Sequence, residues 1–194
     1  MLPAMTSRAP RRVVSASAVD LRIRDGDVRD AVDIETVHFA SRQAAYADRV
    51  SQWPPPGPDR SGRAARWRAW LSDPSISCLV GDSDGEIVGF CTVRASVDVD
   101  AGPSVADMPT LYVRPDLWRV GVGRALCEAG MARAAERGFE TLTLWVLELN
   151  ERARGFYQAL GFSWDGGEKV DDATSDRFPA RRYRIELEDV VGGS

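Results

Sequence analysis

The sequence predicts an α/β fold, a mixed and mostly antiparallel sheet of about seven strands flanked by helices, on three observations. Short β-rich runs with two-residue alternation are interspersed with longer stretches whose apolar residues recur at helical spacing. Two of those runs, 76–81 and 87–95, flank Asp82-Ser83-Asp84-Gly85 and read as a hairpin, because Gly85 takes a positive φ without strain. A later strand at 107–113 is followed by a helix and a strand at 141–146, which a right-handed crossover lays parallel to the first.

Taken in order, residues 1–18 mix Arg8, Arg11 and Arg12 with Ser, Ala and Pro, show no amphipathic period, and are expected to form a disordered tail. The folded domain is expected over 19–189, with 190–194 as a C-terminal tail. Residues 19–24 alternate like an edge strand, Leu21 and Ile23 on one side and Arg22 and Arg24 on the other. Asp25-Gly26-Asp27 turns the chain into a helix whose Val28, Ala31, Val32, Ile34 and Val37 follow a period near 3.6 and which continues through Tyr46. The proline run at 53–58 cannot be helix. It separates the first helix from a second at about 60–71, with Ala64, Trp67 and Leu71 on one face.

Past the hairpin, 96–106 is a polar connection and 107–113 re-enters the sheet. Gly138 ends the next helix. Asn150 caps another, in which Ala153, Phe156, Tyr157 and Leu160 share a face. Gly161 closes that helix, 162–164 starts a strand, 165–177 reads as an acidic, glycine-containing loop, and 181–187 completes the sheet.

Composition narrows the function. The 194 residues carry a net charge of −4, which argues against a nucleic-acid footprint, and no apolar run approaches the about eighteen residues of a membrane span. Cys78, Cys91 and Cys127 show neither a Cys-x-x-Cys spacing nor matching histidines, so no metal is expected and free thiols in a reducing cytoplasm are. His38, the single histidine, reads as a surface or satisfied packing residue.

The most informative stretch is Leu111 to Ala125. A strand end at Tyr112 and Val113, a break at Pro115-Asp116, and then Gly121-Val122-Gly123 open a helix. The first amides of a helix have no internal partner and sit at the positive end of its dipole, which makes an anion site with phosphate as the expected guest. A dinucleotide-binding turn is excluded because Leu126 stands where a third small residue belongs, and a P-loop because no Gly-Lys-Ser/Thr follows.

What remains resembles the GNAT superfamily of acyl-CoA-dependent N-acyltransferases, whose loop reads Gln/Arg-x-x-Gly-x-Gly/Ala. Trp118 departs from that pattern at its first position. A second stretch matches the family at every keyed place: Asn150, Ala153, Phe156, Tyr157, Gly161 and Phe162. The resemblance extends loosely from Val19 to Leu187.

It implies a fold in which the two parallel strands splay and admit the cofactor arm against the backbone of Leu111, Tyr112 and Val113. It further implies that Arg119, Val120, Gly121, Val122, Gly123 and Arg124 cradle the pyrophosphate of acetyl-CoA, with Asn150 beside them. The chemistry it implies is acetyl transfer to a primary amine by direct attack in a ternary complex. Asp107 stands at the interval of the family's base, and Tyr157 at the place of the acid that protonates the leaving thiolate. The Val113 amide is the expected oxyanion partner.

A non-catalytic acyl-CoA-binding module is the alternative. The acceptor is a small molecule or a peptide, and the acids Asp98, Asp100, Asp107, Asp165, Glu168, Asp171, Asp172 and Asp176 point to a cationic one. Monomer and homodimer both remain open, with the strand from Arg181 as a possible pairing edge.

Overall fold

Period-two alternation builds seven strands into one sheet in the structure, a computed structural model that describes residues 20–46, 48–49, 59–171 and 177–187. The 1–18 tail, the 53–58 proline run, Asp172, Asp176 and residues 190–194 lie outside those described. Strands β1 (Arg22–Asp25), β2 (Ser77–Ser83), β3 (Glu86–Ala95) and β4 (Val105–Val113) pair antiparallel in sequence. Asp84 and Gly85, at φ 54° and 83°, close the β2–β3 hairpin, the two left-handed residues that such a tight turn requires. Strand β5 (Thr141–Leu147) runs parallel to β4, as the crossover rule demands.

The far side of the sheet differs from expectation. Residues 165–171, read from the sequence as loop, belong to strand β6 (Ser163–Asp171), which bends at a register shift between Trp164 and Glu168 where Gly166 takes φ 92°. Strand β7 (Phe178–Glu186) sits between β5 and β6. Both of its edges are paired, so the strand from Arg181 cannot pair with a second subunit.

Alternation also distributes the core over both faces of the sheet. Cys91 and Val93 of β3 meet helix α3 (Val122–Glu136) through Leu126, Cys127 and Met131. Phe90 faces the other way, with Val80, toward Ile34 and Val37 of helix α1 (Ala31–Tyr46) and Trp67 of helix α2 (Arg60–Ser72). Burying each such large apolar side chain contributes about 1.5–3 kcal/mol. Helix α4 (Glu151–Gln158), capped by Asn150 as expected, packs Ala153, Phe156 and Tyr157 against the α3 side.

Candidate active site

The sheet opens at Pro109. Thr110 pairs with Thr92 and Asp107 with Arg94, so Met108 and Pro109 together oppose Val93 in a bulge. Proline has no N–H for a ladder. The parallel pair is accordingly short: β4 meets β5 only at Val105, Ala106 and Asp107. Beyond Asp107 the strands diverge around a cleft of about 820 Å³, with Leu111 and Val113 on one wall and Trp145 and Val146 on the other.

The exposed backbone follows from strand geometry. The Arg114 N–H donates to the Val88 carbonyl at 2.8 Å. By the alternation of an antiparallel ladder, Tyr112 also turns its peptide groups toward β3, and Leu111 and Val113 turn theirs toward the cleft. The expected backbone contact therefore narrows to Leu111 and Val113. Tyr112 contributes its ring, which stands 4.7 Å from the His38 ring.

The glycine loop lines the same cleft. Gly121 caps α3 at φ 96°, in the left-handed region that a side chain resists, and supplies no side-chain acceptor. The Ala125 N–H reaches the Gly121 carbonyl at 3.0 Å, so the amides before it are left for a ligand. A Cβ added at Gly123 would stand 3.6 Å from Phe156, in the passage between α3 and α4. Such a cradle fits a phosphate. Val122 is buried and Val120 packs on the core, so neither side chain is available and only their amides remain. Arg119, itself at φ 67°, and Arg124, paired with Glu128 at 3.3 Å, both line the cleft.

Trp118 has a task that the sequence did not disclose, and Asn150 has one beyond its expected cap. The Trp118 indole N–H donates to the Val113 carbonyl at 2.7 Å, and the Arg152 guanidinium lies 3.5 Å above its ring centre. Asn150 accepts from the Ala153 N–H at 3.1 Å and donates to the Tyr46 hydroxyl at 2.8 Å, which ties α4 to α1. Most of its polar capacity is thus structural.

Asp107 and Tyr157 open on the cleft from β4 and α4. Asp107 is 6% exposed; its Oδ2 lies 3.5 Å from an Arg94 nitrogen and its Oδ1 has no hydrogen-bond partner. Burial pushes this carboxyl up to about 6, against the opposing charge of Arg94. Tyr157 is buried beside Phe156 and Phe162, and burial holds its phenol well above the usual value. No described residue hydrogen-bonds its hydroxyl.

The acids expected at the acceptor mouth do converge, but on a cation. Arg182 takes Asp98 at 3.2 Å, Asp100 at 2.6 Å and Asp165 at 2.7 Å, while Glu168 lies 3.8 Å from Arg181. Lys169 stands 4.1 Å over the Trp145 ring, whose N–H also donates to Asp98. Arg182, Arg181 and Lys169 therefore weaken the field these acids would cast on a cationic acceptor.

Sequence reasoning missed a second polar cluster, below Tyr112. Glu35 accepts from Arg63 and, at 3.0 Å, from the Trp67 indole N–H, with His38 Nδ1 at 3.5 Å. His38 is thus the satisfied packing residue, its pKa lowered chiefly by burial. A glutamate and a histidine three apart on an otherwise apolar helix face were the available signal.

Comparison with known proteins agrees with this geometry. The model of the acetyltransferase (GNAT) family matches residues 42–162. An uncharacterised N-acetyltransferase of Mycobacterium bovis is 29% identical over 142 residues, 73% of this chain and 85% of that one. A mycothiol acetyltransferase of Propionibacterium freudenreichii is 34% identical over 124 residues, covering 64% of this chain but only 38% of the relative. The peptidyl-lysine N-acetyltransferase YjaB of Escherichia coli is 43% identical over 105 residues, 54% of this chain and 60% of that one. Among solved structures, the PaiA N-acetyltransferase of Thermoplasma acidophilum in complex with coenzyme A shares the fold at a TM-score of 0.59 and 18% identity, over 86% of this chain and 99% of that one.

Proposed function

Because this chain belongs to the GNAT acetyltransferase family, we propose that it moves an acetyl group from acetyl-CoA to a primary amine by direct attack within a ternary complex. It is an acetyl-CoA-dependent acyltransferase. The observation that carries the catalytic reading is Asp107: a buried carboxyl raised to about 6, with one oxygen unpartnered, on the same cleft as Tyr157. Such a group is mostly ionised at neutral pH yet more basic than an ordinary carboxylate.

An aliphatic ammonium, with a pKa near 10, must lose a proton before it attacks. Asp107 accepts that proton, directly or through one water. The amine nitrogen then bonds to the thioester carbon, the cleft-facing Val113 amide steadies the oxyanion, and the C–S bond breaks. Tyr157, kept protonated by its burial, donates its phenolic proton to the departing sulfur, and the phenolate is reprotonated by the second proton that the nitrogen sheds on becoming an amide, while the proton on Asp107 passes to solvent. Leu111 and Val113 would hold the cofactor arm by backbone, and the amides of the Gly121–Gly123 turn its phosphates.

The acceptor is read as a small molecule or a peptide carrying a primary amine, the two kinds named among the relatives. A panel of amines and lysine peptides with acetyl-CoA, followed by thiol release and product mass, tests the reading. Acetylated amine with stoichiometric thiol is the expected result. Thermal stabilisation by coenzyme A without any transfer would instead favour an acyl-CoA-binding module.

A further inference from the structure

Arginines are the main cations of this chain, and many of them are answered by carboxylates: Arg24 by Asp30, Arg63 by Glu35, Arg133 by Asp25, Arg182 by three aspartates. Arg119 and Arg152 are not. Neither side chain makes an ion pair or a hydrogen bond to any described residue, although both line the cleft beside the glycine loop. Arg49 donates to the Leu149 carbonyl at 2.6 Å, just ahead of α4, and brings a third positive charge into the same neighbourhood. Arg152 registers the crowding: burial, followed after an opposing contribution from Tyr46 by the charges of Arg119 and Arg49, lowers its pKa.

Its geometry is equally specific. The Trp118 ring is fixed as a plate by its bond to the Val113 carbonyl, and the Arg152 guanidinium lies 3.5 Å above it. A cation–π contact uses the face of the guanidinium and leaves the N–H groups at its rim free to donate. Three like charges with no ion pair to a described carboxylate are an unfavourable arrangement unless an anion completes it, and the open amides of α3 face the same space.

We propose that Arg152, laid flat on Trp118, is a phosphate-gripping residue that donates bidentately to a phosphate of coenzyme A; this rests on the reading of the cleft as the acyl-CoA site. Both the pyrophosphate and the 3′-phosphate have the required chemistry. Arg152 also supplies the cation that the tryptophan at position 118 cannot, since its only N–H is committed to Val113.

Calorimetry with coenzyme A, 3′-dephospho-coenzyme A and pantetheine, on wild type, Arg152→Gln and Arg152→Lys, tests the assignment. Arg152→Gln should weaken coenzyme A by about tenfold to a hundredfold, the worth of a charged hydrogen bond, and leave pantetheine unchanged. Arg152→Lys, which keeps charge but loses the planar fork, should fall between. Unaltered dephospho-coenzyme A binding assigns the contact to the 3′-phosphate; an equal loss assigns it to the pyrophosphate. Wild-type affinity for coenzyme A in Arg152→Gln, or an equal loss for pantetheine, overturns the proposal. If the wild type binds no coenzyme A, this assignment and the acyltransferase reading of the cleft both fall, whereas a wild type that binds it, with the Arg152 effect intact but no amine acetylated, leaves the grip standing.

Discussion

Glu35 and Asp107 are both buried carboxylates, 1% and 6% exposed, and they have opposite properties. Burial alone would raise each of them. At Glu35 the hydrogen bonds from His38, Arg63 and Trp67 outweigh it and hold the carboxyl down to about 2. At Asp107 the charges of Arg94, 3.5 Å away, and of Lys169 oppose burial without overcoming it, and the carboxyl rises to about 6. Several donors meet the Glu35 carboxylate and one meets that of Asp107, and the two shifts have opposite signs. Their positions agree: Glu35 is closed between α1 and α2, whereas Asp107 sits where the bulge and Pro109 open the sheet.

Removing the proposed base should have the largest effect. Asp107→Asn is expected to reduce turnover of an aliphatic amine by about 10²- to 10⁴-fold, with coenzyme A affinity retained. In the wild type, kcat/KM should fall as pH drops below about 6, and Arg94→Gln should move that limb upward, because Arg94 holds the Asp107 value down. A profile flat through pH 5 would break the assignment of Asp107 as base.

Tyr157→Phe keeps the ring against Phe156 and Phe162 but deletes the acid. Turnover should drop within the same about 10²- to 10⁴-fold range, toward its lower end, because water reaching the cleft can also protonate a thiolate. Steady-state kinetics at saturating acetyl-CoA reads it, and undiminished kcat would return Tyr157 to a packing role.

At the other carboxylate the effect should fall on stability. Glu35→Gln removes the buried charge that Arg63, Trp67 and His38 all meet and should cost about 3 kcal/mol, the low end for a broken buried pair because Arg63 retains some solvent. The Glu35 value is depressed on folding, so its contribution is full above about pH 4.5 and disappears as pH falls toward 2. Denaturant titrations at pH 7 and pH 3 should therefore show a large variant-to-wild-type gap that closes in acid.

Asp107 has the reverse sign. Its folded value is raised, so the ionised carboxylate costs stability above about pH 6, and the cost fades as pH falls through 6 toward 3.8. Asp107→Asn should gain stability at pH 8, by at most about 3 kcal/mol, and gain nothing near pH 4. A variant that is inactive and also less stable at pH 8 would contradict the comparison.

The smallest effect concerns the mouth. With Asp98, Asp100 and Asp165 held by Arg182, the kcat/KM ratio of matched cationic and neutral amines should change less than about threefold between low and high salt. A steep salt dependence would show that Arg182, Arg181 and Lys169 do not offset the acids.

Legibility followed the range of each interaction. The Asn150 cap, the left-handed Gly85 and the helix around Tyr157 are settled by neighbours within a few residues and were readable, and the β4–α3–β5 crossover was readable from the handedness that such connections share. The 165–177 stretch was misread because acidic residues and glycines resemble a loop, and only pairing with β7 makes its first part a strand. The Glu35–Trp67, Asp98–Arg182 and Trp118–Arg152 contacts join residues 32, 84 and 34 apart, and no local rule connects them.

By itself the sequence determined the family resemblance, the order of strands and helices along the chain, the glycine loop and the candidacy of Asp107 and Tyr157, because caps, periodicity and positive φ are properties of short segments. Only the tertiary structure decided which acid is sated and which is left short of donors, where the sheet splays, and that the mouth acids meet Arg182. Those outcomes depend on strand order and register, which bring distant charges within a few ångströms and set how many donors each one finds.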